Sequence, residues 1–472
     1  MKRLYSCFLI FALAVCTLGS ASAKPKVKYV FYFIGDGMGL NQVLGGSIFA
    51  SQLEGDKDGY ALFPFLEFPV KTYATNRAAN TYVTDSAASG TALSTGEKTN
   101  NGMIGVLNDG ETPVTSVAFD AKKAGVKVGI TSNVGVNHAT PAAFYAHDKD
   151  RGHFYAIGKQ LPESGFDFFA GSNFLTDQKD DSLPLLKTVA REAGYTVAFG
   201  VDQYNAMKEK TAKMVLFQAD SLNSDVPYRI DRKPGDLTLS QITSSAVDFL
   251  TNGNDKGFFL MVEGGRIDFA GHSNDAAANF HEVIDLADAV GIALDFYKKY
   301  PKETLIVVTA DHETGAMSLA LNGKYELNLA LLTHQKASKD GLRSKIGALR
   351  QAKNNRVSWP DTKALLQENL GFWKEVSISM PQEIRLMQAY HESLGEARPS
   401  RPSSSSDDKL AITAVSILNE MALIGWSSGG HSAAFIPVFA IGAGSELFSS
   451  AAFLDNTDIP KLIAKAAGYS AR

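Results

Sequence analysis

Several side chains in this sequence have types and spacings suited to holding metal ions. Asp36, Glu263 and the pair Asp311-His312 each close an apolar run. Asp268 and His272 are spaced i, i+4, which on a helical turn puts both on one face, as zinc chelation requires. His431 lies in Gly429-Gly430-His431-Ser432, a permissive loop. Any one of these residues alone reads as a turn residue, a helix cap or a packed histidine. The chain has only nine histidines, and three of them in carboxylate-rich settings point to bound cations. The glycines of Gly35-Asp36-Gly37-Met38-Gly39 resemble a dinucleotide fingerprint only superficially. Asp36 stands where an anionic pyrophosphate would approach, so the turn suits a cation better.

A second stretch supplies a nucleophile. In Thr84-Asp85-Ser86-Ala87-Ala88-Ser89-Gly90-Thr91-Ala92, small residues allow a helix to lie tightly against a sheet, with Asp85 or Ser86 at its start. A serine hydroxyl there points along the positive end of the helix, where free backbone N–H groups hold an anion.

The elements that must position these groups follow from the hydrophobic pattern. Apolar, β-branched and aromatic runs predict strands at 28–34, 126–131, 165–170, 213–218, 257–262, 304–309 and 435–441. Helices are expected at 116–124, 239–251, 276–297 and 460–467, the third with Phe280, Val283, Ile284, Leu286, Ala287, Val290 and Leu294 on one broad face. Strands alternating with helices predict an α/β fold: a mostly parallel central sheet flanked by helices on both faces. In such a sheet the carboxyl ends of strands gather on one edge, so Asp36, Glu263, Asp311 and His312 converge although far apart in sequence. From 322 to 419 the rhythm breaks into helical stretches, read as an insertion or cap over the sheet, with a mobile Pro/Ser loop at 399–406. Residues 24–472 are expected to form one domain containing this insertion.

The first 23 residues read as a secretory signal: Lys2 and Arg3, an apolar core from Phe8 to Leu18, and the cleavage site Ala21-Ser22-Ala23. The protein is therefore expected to be exported, to the periplasm or beyond. Lipid attachment at Cys16 fits poorly, because Val15 precedes it. Both cysteines, Cys7 and Cys16, fall in this leader, so the mature chain has no disulfide, thiolate metal site or cysteine nucleophile. No later run is apolar enough to span a bilayer. The formal net charge of −4, more negative still without Lys2 and Arg3, argues against a general nucleic-acid or membrane-surface binder.

Taken together, Ile34-Gly35-Asp36-Gly37-Met38-Gly39, Thr84-Asp85-Ser86-Ala87-Ala88, His138-Ala139-Thr140-Pro141-Ala142-Ala143, Arg151, Val262-Glu263-Gly264 with Asp268 and His272, Thr309-Ala310-Asp311-His312 and Gly430-His431 resemble the metal-dependent alkaline phosphatase family. The motifs appear in family order, from Tyr29 to about Ile441, with the insertion as the variable part. The resemblance implies hydrolysis of phosphate monoesters through a phosphoserine on Ser86. It implies one zinc on Asp268, His272 and His431, and a second on Asp36, Asp311 and His312 beside Ser86. A third ion, usually magnesium, would take Asp36, Thr140 and Glu263, and Arg151 would clamp two phosphate oxygens. Family members are often homodimers. His138 stands where some members carry Asp near the third metal; imidazole suits zinc better than magnesium. Phe269 stands where others carry Lys, His or Trp.

The chemistry makes these types necessary. A serine hydroxyl is almost fully protonated at neutral pH and needs a cation to stabilise its alkoxide. A planar guanidinium matches a phosphate edge bidentately. Rival readings are a phosphodiesterase or sulfatase on the same scaffold, or a non-catalytic metal- or phosphate-binding protein. Arg151 favours a dianionic monoester. The mature chain lacks both a cysteine and a Ser-x-Pro-x-Arg signature, which argues against a sulfatase. Simple metal binding needs neither Ser86 nor Arg151. His147 and His153, flanking Arg151, read as loop histidines, and Trp359, Trp373 and Trp426 as packing residues.

Overall fold

The computed structural model describes residues 27–56, 58–177, 183–219, 226–394, 408–449 and 451–469. The leader at 1–23 with Cys7 and Cys16, and the Pro/Ser stretch at 399–406, lie outside the described residues. Eight strands come first: β1 (Tyr29–Gly35), β2 (Val70–Thr75), β3 (Lys127–Ser132), β4 (Phe168–Gly171), β5 (Thr196–Phe199), β6 (Met214–Phe217), β7 (Phe258–Glu263) and β8 (Thr304–Ala310). Four short ones follow: β9 (Glu313–Thr314), β10 (Met317–Leu319), β11 (Ile424–Trp426) and β12 (His431–Ser432). The chain closes with β13 (Ile436–Gly442) and β14 (Leu454–Asp455). Ten of these form one sheet in the order β14-β2-β13-β8-β1-β7-β3-β4-β6-β5. The expected mostly parallel sheet is present. Only β13 reverses, pairing antiparallel with both β8 and β2.

The centre of the sheet is buried on both faces, which explains its unbroken apolar runs. Val30 to Ile34 of β1 are fully buried. Tyr29 and Phe31 pack against Phe296, on the long helix Ala276–Lys299. Tyr32 faces the other way, its ring against Phe144 and its hydroxyl donating to the Leu93 carbonyl at 3.2 Å. Helices thus cover both faces, as the sequence predicts. The long helix is capped by Asp275, whose side chain accepts from the Ala278 N–H, and ends on Lys298 and Lys299 at its negative pole.

The helix Ser86–Thr95 is buried at every residue. Its small side chains are needed: a Cβ on Gly90 would lie 3.3 Å from both Ala143 and the Thr140 Cα.

The region 322–419 is helical where described, with helices Lys339–Ala352, Trp359–Leu370 and Met380–Leu394, followed by Lys409–Met421. It leaves and rejoins through the antiparallel pair β10–β11. Its 3-10 turn Leu329–His334 packs on the helices Leu40–Leu53 and Ala276–Lys299. This turn therefore rests on a helical layer. Trp359 and Trp373 meet edge to face inside it, 6.0 Å apart.

Candidate active site

Three neighbouring strands deliver the carboxylates. In the order β8-β1-β7, Ile34 is level with both Glu263 and Thr309, and Gly35 with Ala310. Asp36, Glu263, Asp311 and His312 therefore leave the sheet at the same edge. The helix Arg266–His272 follows β7 directly and carries Asp268 and His272. Gly37 makes this close approach possible: its φ is +73°, and a Cβ there would lie 2.8 Å from the Asp268 Cα. His431 is not in an open loop as the sequence suggests. It sits on β12, which pairs with β9 so that His431 is opposite Thr314, and its ring stacks on His312 with centroids 3.6 Å apart.

The side chains fall into three groups, each able to converge on one ion: Asp268, His272 and His431; Asp36, Asp311 and His312; and Asp36, His138 and Glu263. The two histidines of the first group are each oriented by a backbone carbonyl. His272 Nδ1 donates to the Gly429 carbonyl at 2.7 Å, and His431 Nδ1 donates to the Thr84 carbonyl at 2.8 Å. The two Nε2 atoms are thereby turned toward each other at 3.2 Å, the atoms each ring would offer to a metal once free of protons. Asp311 Oδ1 accepts from the Gly37 and His312 amides, fixing the carboxylate. Asp36 Oδ1, Asp311 Oδ2, Glu263 Oε1 and His138 Nδ1 are buried without a hydrogen-bond partner. Orphaned buried acceptors in one place are costly unless a cation satisfies them.

The electrostatics agree. Burial, with the charges of Asp311, Asp268 and Glu263, pushes Asp36 well above the usual carboxylate range. Burial and Asp268 push Asp311 up to about 8. Burial holds His312 well below the usual imidazole value, so it is neutral with a free lone pair. Burial opposes the charge of Asp268 as well. The hydrogen bond from His272 and the fields of His312, His272 and His431 nevertheless hold it well below the carboxylate range, and the same bond raises His272 to about 9. Protons occupy sites that metal binding would strip of them.

Ser86 is the first residue of its helix, and its Oγ lies 3.2 Å from His312 Nε2. Asp85 caps that helix by accepting from the Ala88 N–H at 2.9 Å. It also accepts from Arg151 Nη1 and from the Gly102 N–H, both at 3.0 Å. The sequence marked Asp85 as a cap only; its grip on Arg151 had no sequence signal. Arg151 Nη2 donates to His138 Nε2 at 3.2 Å. Thr140, expected as a ligand, donates to Asp36 Oδ2 at 3.3 Å, while His138 occupies the third group. Phe269 meets the His138 ring edge-on at 5.7 Å, with the Arg266 guanidinium 5.4 Å from its own ring. His147 bonds to the Val114 carbonyl and His153 to Asp148, outside all three groups.

Reasoning from sequence also missed the residues behind the candidate ligands. Glu313 accepts from Gln42, from the Ala316 and Met317 amides and from Ser432, and so ties β9 to the strand carrying His431.

The sequence profile of the alkaline phosphatase family matches residues 27–179 and 171–469. The chain belongs to the alkaline phosphatase family. It is 32% identical to alkaline phosphatase 3 of Bacillus subtilis, over 99% of this chain and 98% of that protein. Among solved structures, a cold-active alkaline phosphatase from a psychrophilic Shewanella sp. superposes with a TM-score of 0.78 at 28% identity, covering 93% of this chain and 99% of that one. The alkaline phosphatase of the Antarctic bacterium TAB5, in a His-to-Asp mutant form with Mg bound in its M3 site, superposes with a TM-score of 0.64 at 27% identity, covering 95% and 100%. The α/β fold and the metal-binding character are those of the family, and no described helix is long and apolar enough to cross a membrane.

Proposed function

We propose that this protein hydrolyses phosphate monoesters, with Ser86 as the nucleophile and Arg151 as the clamp on the phosphoryl group. The observation that carries the reading is the juxtaposition of three things. A serine hydroxyl sits at a helix N-terminus, a guanidinium is anchored beside it by Asp85, and orphaned carboxylate oxygens converge behind it. Asp268, His272 and His431 would hold one zinc, and Asp36, Asp311 and His312 a second. Asp36 and Glu263, with Thr140 and His138 beside them, would hold the third ion, magnesium. These donor sets fit: carboxylate and imidazole suit zinc, and an oxygen-rich group suits magnesium. When bound, the ions supply positive charge that lowers the pKa of the attacking hydroxyl and offsets charge on the phosphoryl oxygens.

The chain does the rest. Ser86 Oγ attacks phosphorus, the ester O–P bond breaks, and the alcohol leaves with a proton. Water then attacks the phosphoserine, releasing phosphate and restoring the hydroxyl. Arg151, held to Asp85 through Nη1, presents its remaining N–H donors to two phosphoryl oxygens of the three that a monoester carries. Retention of the leader at 1–23 in the sequence supports export to the periplasm or beyond. Residues 24–472 act as one domain with the 322–419 insertion, and a homodimer is the family's usual assembly.

The test compares zinc- and magnesium-loaded protein on p-nitrophenyl phosphate, bis-p-nitrophenyl phosphate and p-nitrophenyl sulfate. The monoester should dominate, and Ser86→Ala should abolish its turnover while leaving the zinc content intact. A dominant diester or sulfate rate would overturn the substrate assignment.

A further inference from the structure

Thr314 lies two residues beyond His312 and is fully buried. Its Oγ1 donates to Asp268 Oδ1 at 2.5 Å and lies 3.2 Å from His312 Nδ1. The polarity of this chain is forced. A hydroxyl has one proton, and a carboxylate can only accept, so the proton goes to Asp268. Nδ1 of His312 must then be the donor into the remaining lone pair of Oγ1. His312 is thereby fixed as the Nδ1–H tautomer. Its Nε2 lone pair is aimed at Ser86 Oγ, Asp36 Oδ1 and Asp311 Oδ2, at 3.2, 3.4 and 3.2 Å. The bond to Oδ1 also leaves Asp268 Oδ2 facing His272 Nε2 at 3.3 Å. One hydroxyl thus touches a residue from each of the two zinc groups.

The residue has little freedom to do otherwise. Its amide donates to the Gly37 carbonyl at 3.3 Å, and β9 pairs with β12. A Cβ on Gly37 would lie 2.8 Å from Oγ1, so the hydroxyl is walled in. Val or Ala here would remove the donor to Asp268 and the acceptor for His312 together.

We propose that Thr314 is a positioning residue shared by both zinc groups, setting the His312 tautomer and the Asp268 rotamer through one hydroxyl. The proposal rests on the assignment of those groups as zinc ligands. Its test needs no turnover. The full mature chain is stripped with chelator and titrated with Zn²⁺ alone against a competing indicator. Outer partners of metal ligands are worth about 10–100-fold in affinity, so Thr314→Val should weaken both zinc equivalents by about that factor. Thr314→Ser should stay within about threefold of wild type. Thr314→Ala, smaller and free of steric conflict, should behave as Val does and serves if the Val variant does not fold. Wild-type affinity in the Val or Ala variants, weakening at one group only, or equal loss in the Ser variant would each overturn the proposal. A wild-type chain that takes up no zinc would instead overturn the ligand assignment beneath it.

Discussion

Stripping the protein of metal should invert the way its stability responds to alkali. In the metal-free chain, Asp36 and Asp311 are both raised above the ordinary carboxylate range, Asp311 to about 8. The folded state therefore holds at least one proton that the unfolded chain has released by pH 6.5. Stability falls with pH wherever the native state binds more protons, by about 1.36 kcal/mol per pH unit per proton. One proton retained by the pair from pH 6.5 to 8.5 gives a loss of about 2.7 kcal/mol. His272, raised to about 9, acts in the same direction over this window. His312, lowered, affects stability only below its ordinary value of 6.5, and Asp268 only below its ordinary carboxylate value. With 472 residues and ~2.1 cal/mol/K per residue, the entropy of unfolding is about 1 kcal/mol/K, so Tm should drop by about 3 °C. The assay is differential scanning fluorimetry of chelator-stripped and zinc-loaded protein at pH 6.5, 7.5 and 8.5. The stripped protein should lose Tm steadily while the loaded protein does not, because a ligating carboxylate has already given up its proton. Asp311→Asn, stripped, should lose part of the slope. A stripped protein whose Tm rises with pH, or equal slopes in both forms, would refute the reasoning.

Other substitutions probe the remaining contacts. Arg151→Lys loses the planar fork and one of the charge-assisted bonds seen at Asp85; phosphate inhibition should weaken by about 10–100-fold, as expected for ~1.5–3 kcal/mol, read as Ki. His138→Asp adds a hard oxygen ligand beside Asp36 and Glu263, so the third group should bind Mg²⁺ about tenfold or more tightly by calorimetry; unchanged affinity would place His138 outside that shell. Glu313→Ala strands two backbone N–H groups and Ser432 around a cavity and removes one of the two bonds of the Gln42 amide. At ~1–3 kcal/mol for each unsatisfied group, Tm should fall by several degrees, with weaker zinc binding at the group containing His431.

The convergence of the candidate ligands was more legible in the sequence than the frame around them. Asp36, Glu263, Asp311 and His312 were legible because each ends a strand buried on both faces, where apolar runs are long and their ends sharp. β2 was missed because it alternates Lys71, Thr72 and Tyr73 with buried Val70 and Ala74, which blurs the apolar run. β9 and β12 are two residues each, too short for periodicity to register, and β5 is an edge strand only half-buried at Thr196 and Phe199, which shortens its apolar run. The reversal of β13 was illegible for a different reason: an apolar run has no direction written into it. Helix ends fared better: Leu239–Thr251, expected from its helical spacing, matches to the residue, and Thr238 with Gln241 makes a full capping box at its start. Asp85, Glu313 and Thr314 escaped because their work is done on partners 66, 271 and 46 residues away, and nothing local records it.

The sheet order also dictates how this chain can be made. β1 is the first strand synthesised, yet its partners are β7 and β8, pairing Tyr29 with Phe258 and with Thr304. Until residue 263 has emerged β1 has no neighbour on either side, and until residue 310 it has at most one. Pairings of such sequence separation impose a large loop-closure cost before any contact repays it. The centre of this sheet therefore cannot assemble from its N-terminus outward during translation. β1 remains a sticky, unpaired segment through most of synthesis, a hazard that chaperones or delayed folding must cover.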